Sequence, residues 1–529
     1  MGNSTDSRRN VVLILCDQLR PDFLNAYGAD FIPTPNIDQL AANGVTFDNA
    51  ITASTVCAPA RASIMTGEFV SGHCAWTNNM PCRDGIKYLP ERLNEAGYMT
   101  AATGIFDHAP AGNRIGFKYL RPQDVVPAAK YLCDGEKYME YLQSRHPEAT
   151  TPWAADGMYF KYSEEDHLDR WAVDRATEFI DSYTSTGKAP NGAAPEKEGA
   201  PFFLYCGLHE PHGPLRAPKE VAGTVDINKI PTLINSTRQD IGDVEKYRRA
   251  YLNSHEALVD PDSVTEERME QRRVYCEMIV EVDALVGRLI KSLKDNGVYE
   301  NTTIIFSSDH GSVDNDYNTC TKGPWPYKSQ LFVPLIVANH PELEKGTRCD
   351  ALCGNLDIGA TMLDIAGDDA RFGVSRSVIG LANGTIPQRE VNMSEFCDSS
   401  KTIVDKRYTY IYYPFAGQSY LYDRENDPTE MTNLTGKPEY AEIERKFLMH
   451  IIDFLAIAKG VKIEAHDMVP SVHEELKKKD PKFLETFDVC YPIATMTQIE
   501  RLKEAGLDYN YNEFCKEKEI KAHYGVYFK

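Results

Sequence analysis

Three apolar runs limit the folds open to this chain. Asn10 to Cys16 reads NVVLILC, Pro201 to Leu208 reads PFFLYCGL, and Thr302 to Ser308 reads TTIIFSS. Short continuous runs rich in β-branched and aromatic residues read as core strands, and the first as a central parallel strand buried on both faces. Each stops at residues that can do chemistry: Asp17-Gln18, His209-Glu210-Pro211-His212, and Asp309-His310-Gly311. Open α/β sheets place ligands beyond the carboxyl ends of their strands. Asp17 also suits a helix N-cap, and His209 and His212 suit a stiff structural loop.

Between the first two runs lies Cys57-Ala-Pro59-Ala-Arg61-Ala-Ser63-Ile-Met-Thr66-Gly67. Pro59 favours a first helical turn. That places Cys57 at a helix N-terminus, where free N–H groups and the helix dipole attract an anion. Arg61, one turn on, can present its planar fork to a tetrahedral oxyanion.

This stretch resembles the signature of the type I sulfatases, Cys-x-Pro-x-Arg-x-Ser-x-x-x-Thr-Gly. In that family a maturation enzyme oxidises the cysteine to formylglycine, whose hydrate is the nucleophile. The resemblance spans roughly residues 10 to 460 and implies an alkaline phosphatase-like α/β fold. That fold is a large mixed, mostly parallel sheet sandwiched by helices, with a small C-terminal antiparallel sheet. Thr34-Pro35-Asn36-Ile37-Asp38 and the run from Leu421 to Leu434, LYDRENDPTEMTNL, match the family as well.

By the same resemblance Asp17, Gln18, residue 57, Asp309 and His310 hold one divalent metal. The oxygen-rich donor set favours Ca2+, and the imidazole leans towards Mn2+. Arg61, His212, Lys322 and His108 are expected to be catalytic: Lys322 and Arg61 on the ester oxyanion, His212 as the acid for the leaving alcohol. Asn78 and His209 are expected to bind substrate. Two departures stand out. Gln18 replaces the second of two adjacent acids, as in the choline-sulfatase and phosphonate monoester hydrolase branches. Ile105, in Gly104-Ile105-Phe106-Asp107-His108, replaces a lysine. The expected activity is therefore hydrolysis of a sulfuric ester, with phosphonate monoester or phosphodiester hydrolysis by the same nucleophile as the alternative.

The net charge of −21 excludes a nucleic-acid binder, which needs a basic face. It suits a small anionic ester, a sulfated sugar or small molecule, better than a long polyanion. No run is long and apolar enough for a membrane span. The thirteen cysteines follow no disulfide framework, and residues 1–10 carry no apolar signal core. A cytoplasmic location is expected. Besides substrate, the expected partner is the formylglycine-generating maturase. The chain divides into a catalytic unit, 8–384, an α+β subdomain, 385–460, and an extension, 461–529, read as an arm packed on the body or in a homo-oligomer. Residues 112–200 match no pattern, yet must shape the pocket.

Overall fold

The computed structural model describes residues 8–459 except 79, 109–112, 124–132, 235–264, 320–321, 324–325, 369–371, 398 and 415. The expected extension, 461–529, lies outside the described residues. Eight strands form the main sheet: β1 (Asn10–Asp17), β2 (Gly44–Ile51), β3 (Met99–Gly104), β4 (Tyr119–Pro122), β7 (Phe202–Pro211), β8 (Thr302–Ser308), β9 (Leu335–Ala338) and β10 (Thr347–Gly354). Their order is β10-β2-β9-β8-β1-β7-β3-β4. A separate two-stranded ribbon, β5 (Ala155–Asp156) and β6 (Tyr159–Phe160), rises from the segment between β4 and β7.

The three apolar runs are the sheet's centre. β1 pairs in parallel with β8 on one side and β7 on the other. Every residue of β1 is buried, so neither face needs polar side chains. Each of its aliphatic side chains contributes about 1.5–3 kcal/mol by leaving water. Only β9 runs against its neighbours, β2 and β8. The strand expected from Leu331 is shorter than the pattern suggested. Lys328–Leu331 is a helical turn, and β9 starts at Leu335, after Pro334, which has no N–H for a ladder.

The helices Leu168–Thr186 and Thr265–Asp295 pack together on one face, the second reaching further back than the expected start at residue 273. The second core, on the opposite face, takes in the helix Cys57–Thr66.

A four-stranded antiparallel sheet follows: β11 (Asn392–Phe396), β12 (Ser400–Val404), β13 (Tyr408–Tyr413) and β14 (Gln418–Asp423). Its strands are less exposed than their alternation suggested. Tyr410 and Leu421 are buried with Phe447 and Ile451 of the helix Ala441–Lys459. The same cluster holds Ala53 and Phe69, so this sheet leans on the loops that flank the Cys57 helix. Among the described residues no helix is long and apolar enough to cross a membrane, and no cysteine is paired.

Candidate active site

Because β1, β7, β8, β2 and β3 run parallel, their carboxyl ends open on one edge of the sheet. Asp17 closes β1, and Asp309 and His310 follow β8. The five residues after β2 deliver Cys57 to the first turn of its helix. Asp17, Cys57, Asp309 and His310 are buried, and their ligand atoms all lie within 4.8 Å of one another. His310 Nε2 is 3.3 Å from Cys57 Sγ, and Lys322 Nζ donates to that sulfur at 2.6 Å.

The donor set fits a metal ion. His310 Nδ1 lies 2.8 Å from the Gly311 carbonyl, which only accepts, so Nδ1 carries the proton and Nε2 presents a lone pair to the cluster. Asp309 Oδ1 takes N–H bonds from Gln18 and His310. Its backbone carbonyl is held by Thr52 Oγ1 and Asn355 Nδ2, both at 2.6 Å. Gly311 is required here: a Cβ would sit 2.0 Å from the Ser329 carbonyl oxygen. Gln18 sits at φ 68 and donates Nε2–H to Ser312 Oγ; its Oε1 accepts no hydrogen bond among the described residues. A side-chain oxygen is thus left for a cation.

The cluster is electrostatically tense. Burial, followed by the charge of Asp309, raises the Asp17 pKa. Burial also opposes ionisation of Asp309, but His310, Arg61 and Lys322 outweigh it and hold the carboxyl at about 2. Burial pushes the Cys57 thiol well up, and Asp17 pushes it further, so the unmodified thiol is a poor nucleophile.

Arg61 departs from its expected place on the oxyanion. It is fully buried, with Nε on Asp309 Oδ2 at 2.9 Å and Nη2 on Asp17 Oδ2 at 3.2 Å. Nη1 is taken by the Ile105 carbonyl and the Tyr205 hydroxyl. The guanidinium therefore aims the two acids. The same bond explains Ile105: Gly104, at φ +82, turns the strand end so that the Ile105 carbonyl, not its side chain, faces Arg61. Asn78 also differs from expectation. Its Oδ1 accepts the Ala58 N–H at 3.1 Å and so caps the Cys57 helix.

The histidines at the end of β7, His209 within it and His212 just after it, lie beside this cluster. His212 Nδ1 faces the Gly213 carbonyl, so its proton sits there and Nε2 is the working nitrogen. Burial pushes its pKa well below the usual value, and the nearby Lys322 adds to that shift. The His209 ring lies against His212, tilted by 58° with centroids 4.9 Å apart, and burial pushes its pKa well down too. His108 is buried against Phe106 with Nε2 unpartnered, its pKa lowered to about 3 by burial and by Arg61. His73 serves the frame: it bonds Ser63 Oγ at 2.9 Å and takes the Ala75 N–H. Spacing gave no sign of Tyr205, Asn355 or Asp169. Asp169, on the helix Leu168–Thr186, accepts the His209 and Glu210 N–H groups and so fixes the end of β7.

Comparison with known proteins agrees with this geometry. The sulfatase family profile matches residues 9–368, two thirds of the chain. The chain belongs to the sulfatase family, hydrolases that act on sulfuric ester bonds. A second profile, the C-terminal region of N-sulphoglucosamine sulphohydrolase, matches 323–456.

An arylsulfatase of Clostridium perfringens is 26% identical over 82% of this chain and 91% of its own. A choline-sulfatase of Rhizobium meliloti is 26% identical, covering 82% of this chain and 84% of its own. In fold, the sulfatase chain resembles the phosphonate monoester hydrolase of Agrobacterium radiobacter, with TM-score 0.71 and 23% identity over 85% of this chain and 96% of the other. It also resembles a protein solved with its substrate D-glucosamine-2-N,6-O-disulfate, with TM-score 0.66 and 19% identity over 86% and 99%.

Proposed function

We propose that this sulfatase hydrolyses the sulfate monoester of a small alcohol or sugar, with residue 57 matured to formylglycine and Ca2+ held by Asp17, Gln18, Asp309, His310 and residue 57. The observation that carries this is the convergence of Asp17, Asp309 and His310 on Cys57, with Lys322 on the same sulfur. The cation supplies Lewis acidity at residue 57, and formylglycine supplies a hydrated aldehyde as nucleophile.

The chain's own residues do the rest. Arg61 and Lys322 balance the two acids, so a divalent cation leaves the site positive within an acidic protein and draws in an anionic ester. Lys322 stabilises charge on the sulfuryl oxygens beside residue 57, and the capped N-terminus of the Cys57 helix adds its dipole. Arg61 keeps both carboxylates aimed. His212 carries a proton at Nε2 to the departing alkoxide; burial first and the Lys322 charge second hold the free imidazole's pKa down, and the bound anion counters the Lys322 part. His209 and His108 line the approach, and the unpaired described cysteines suit a cytoplasmic, reducing compartment.

The second reading is hydrolysis of phosphonate monoesters. It is favoured by Gln18 in place of a second acid and by Ile105 in place of a lysine. The test is kcat/KM of matured protein on an aryl sulfate and an aryl phosphonate monoester sharing one leaving group. A higher value for sulfate is expected. A tenfold advantage for the phosphonate, about 1.4 kcal/mol of transition-state binding, would establish the second reading instead.

A further inference from the structure

Residues 112–200, which no motif explains, deliver one aromatic side chain to the leaving-group histidines. Trp153, partly buried, lies against the His209 ring with centroids 4.5 Å apart, and His209 in turn contacts His212. The three rings form a row leading outward from the expected proton donor. His209 is only 5% exposed, and neither of its ring nitrogens has a hydrogen-bond partner among the described residues. A buried imidazole without partners at the mouth of a site is set to meet a polar group of a ligand.

Arg216 is tied to the backbone of the same tryptophan. Its Nε donates to the Trp153 carbonyl at 3.2 Å, and its own carbonyl lies 3.2 Å from His167 Nε2. The carbonyl of the next residue, Ala217, accepts the Phe160 N–H at 3.0 Å, so the β5–β6 ribbon and the backbone beside this arginine are held together. The buried arginines Arg20, Arg61, Arg272 and Arg389 each have an aspartate within ion-pair distance, whereas Arg216 is half-buried. Arg216 has no acidic partner among the described residues, and its Nη2 has no partner of any kind there. A partly desolvated guanidinium without a counter-ion is a ready anion receptor with a planar fork.

We propose that Trp153, His209 and Arg216 form the subsite for the alcohol half of the ester, and that this alcohol is a sugar ring bearing a second anionic group. The ring packs its C–H face on the Trp153 indole, His209 meets a ring hydroxyl, and Arg216 takes the second sulfate or carboxylate. In a chain of net charge −21 that one guanidinium is a sharp selector, because a second negative charge gains only where it meets Arg216. This inference rests on the sulfatase reading and narrows its substrate.

Binding is measured so that it does not depend on turnover. Metal-loaded Cys57→Ala protein is titrated calorimetrically with glucosamine 6-sulfate and with glucosamine 2-N,6-O-disulfate. The disulfate is expected to bind at least tenfold more tightly. Adding Arg216→Ala should erase that preference, while Arg216→Lys keeps part of it. Adding Trp153→Ala should weaken both sugars by a similar factor, about tenfold, and leave their ratio intact. Equal binding of the two sugars, no binding of either, or a preference that survives Arg216→Ala overturns the subsite. The sulfatase reading fails separately, if matured wild-type protein does not turn over 4-nitrophenyl sulfate.

Discussion

The two sides of this site are built differently. On the side of β1, β8 and the Cys57 helix, each of the buried acids is held by at least one partner, and Asp309 by three separate side-chain contacts. On the side of β7, His108 Nε2 is buried without a partner, and among the described residues the His209 nitrogens make no hydrogen bond and Arg216 has no acid. The first side has its geometry fixed before any ligand arrives, as charge stabilisation in a low-dielectric site demands. The second keeps polar groups unspent for whatever alcohol it receives. On the proposed function the first half acts on the sulfuryl group and the second on the leaving alcohol, and substitutions should separate them.

The sharpest contrast comes from Asp309→Asn. It removes a metal donor and strands the buried Arg61, so kcat/KM on an aryl sulfate should fall about a thousandfold or more. Lys322→Ala follows, with a loss of about 10²–10³ that persists whatever the leaving group, because it acts on the sulfuryl oxygens. His212→Ala should cost about 10²-fold on an alkyl sulfate and far less on 4-nitrophenyl sulfate, whose leaving group needs no proton. If His212→Ala were instead as damaging on both esters as Lys322→Ala, the division between the two halves would be wrong.

The same division is legible in the sequence to different depths. Asp17, Cys57, Asp309 and His310 stand at strand ends or at a helix start, where a local pattern already says what the backbone will do. Lys322 keeps a recognisable spacing to the following Pro334-Leu335, although the strand begins later than the pattern implied. Arg61 is legible on its helix but its partners are not, because Tyr205 on β7 and the Ile105 carbonyl just after β3 lie far along the chain. Asn355, Asp169, Trp153 and Arg216 belong to no motif. Each matters through contacts with residues distant in the chain, and such contacts leave no periodicity.

Two smaller effects sharpen the picture of the frame. Burial lowers the His73 pKa to about 3 from the ordinary 6.5. Between those values the unfolded chain binds a proton that the folded one refuses, so stability is lost as pH falls through that window. The loss is about 2 kcal/mol between pH 6.5 and 5. Urea midpoints across that range should decline for wild type and less steeply for His73→Gln; His108 contributes with the same sign. Asn78→Ala removes the cap on Ala58 and should cost about 1 kcal/mol of stability. Its effect on kcat/KM should be no more than about tenfold. A larger kinetic loss with unchanged stability would return Asn78 to the substrate.

The most direct test is kcat/KM on 4-nitrophenyl sulfate for protein co-produced with a formylglycine-generating enzyme, beside Cys57→Ala, with the mass of the peptide holding residue 57 read from the same samples. The account predicts an aldehyde mass in the wild-type peptide and turnover that falls by about 10⁵-fold or more in Cys57→Ala. Turnover by wild-type protein whose residue 57 is still a thiol, or by Cys57→Ala within tenfold of wild type, would contradict it.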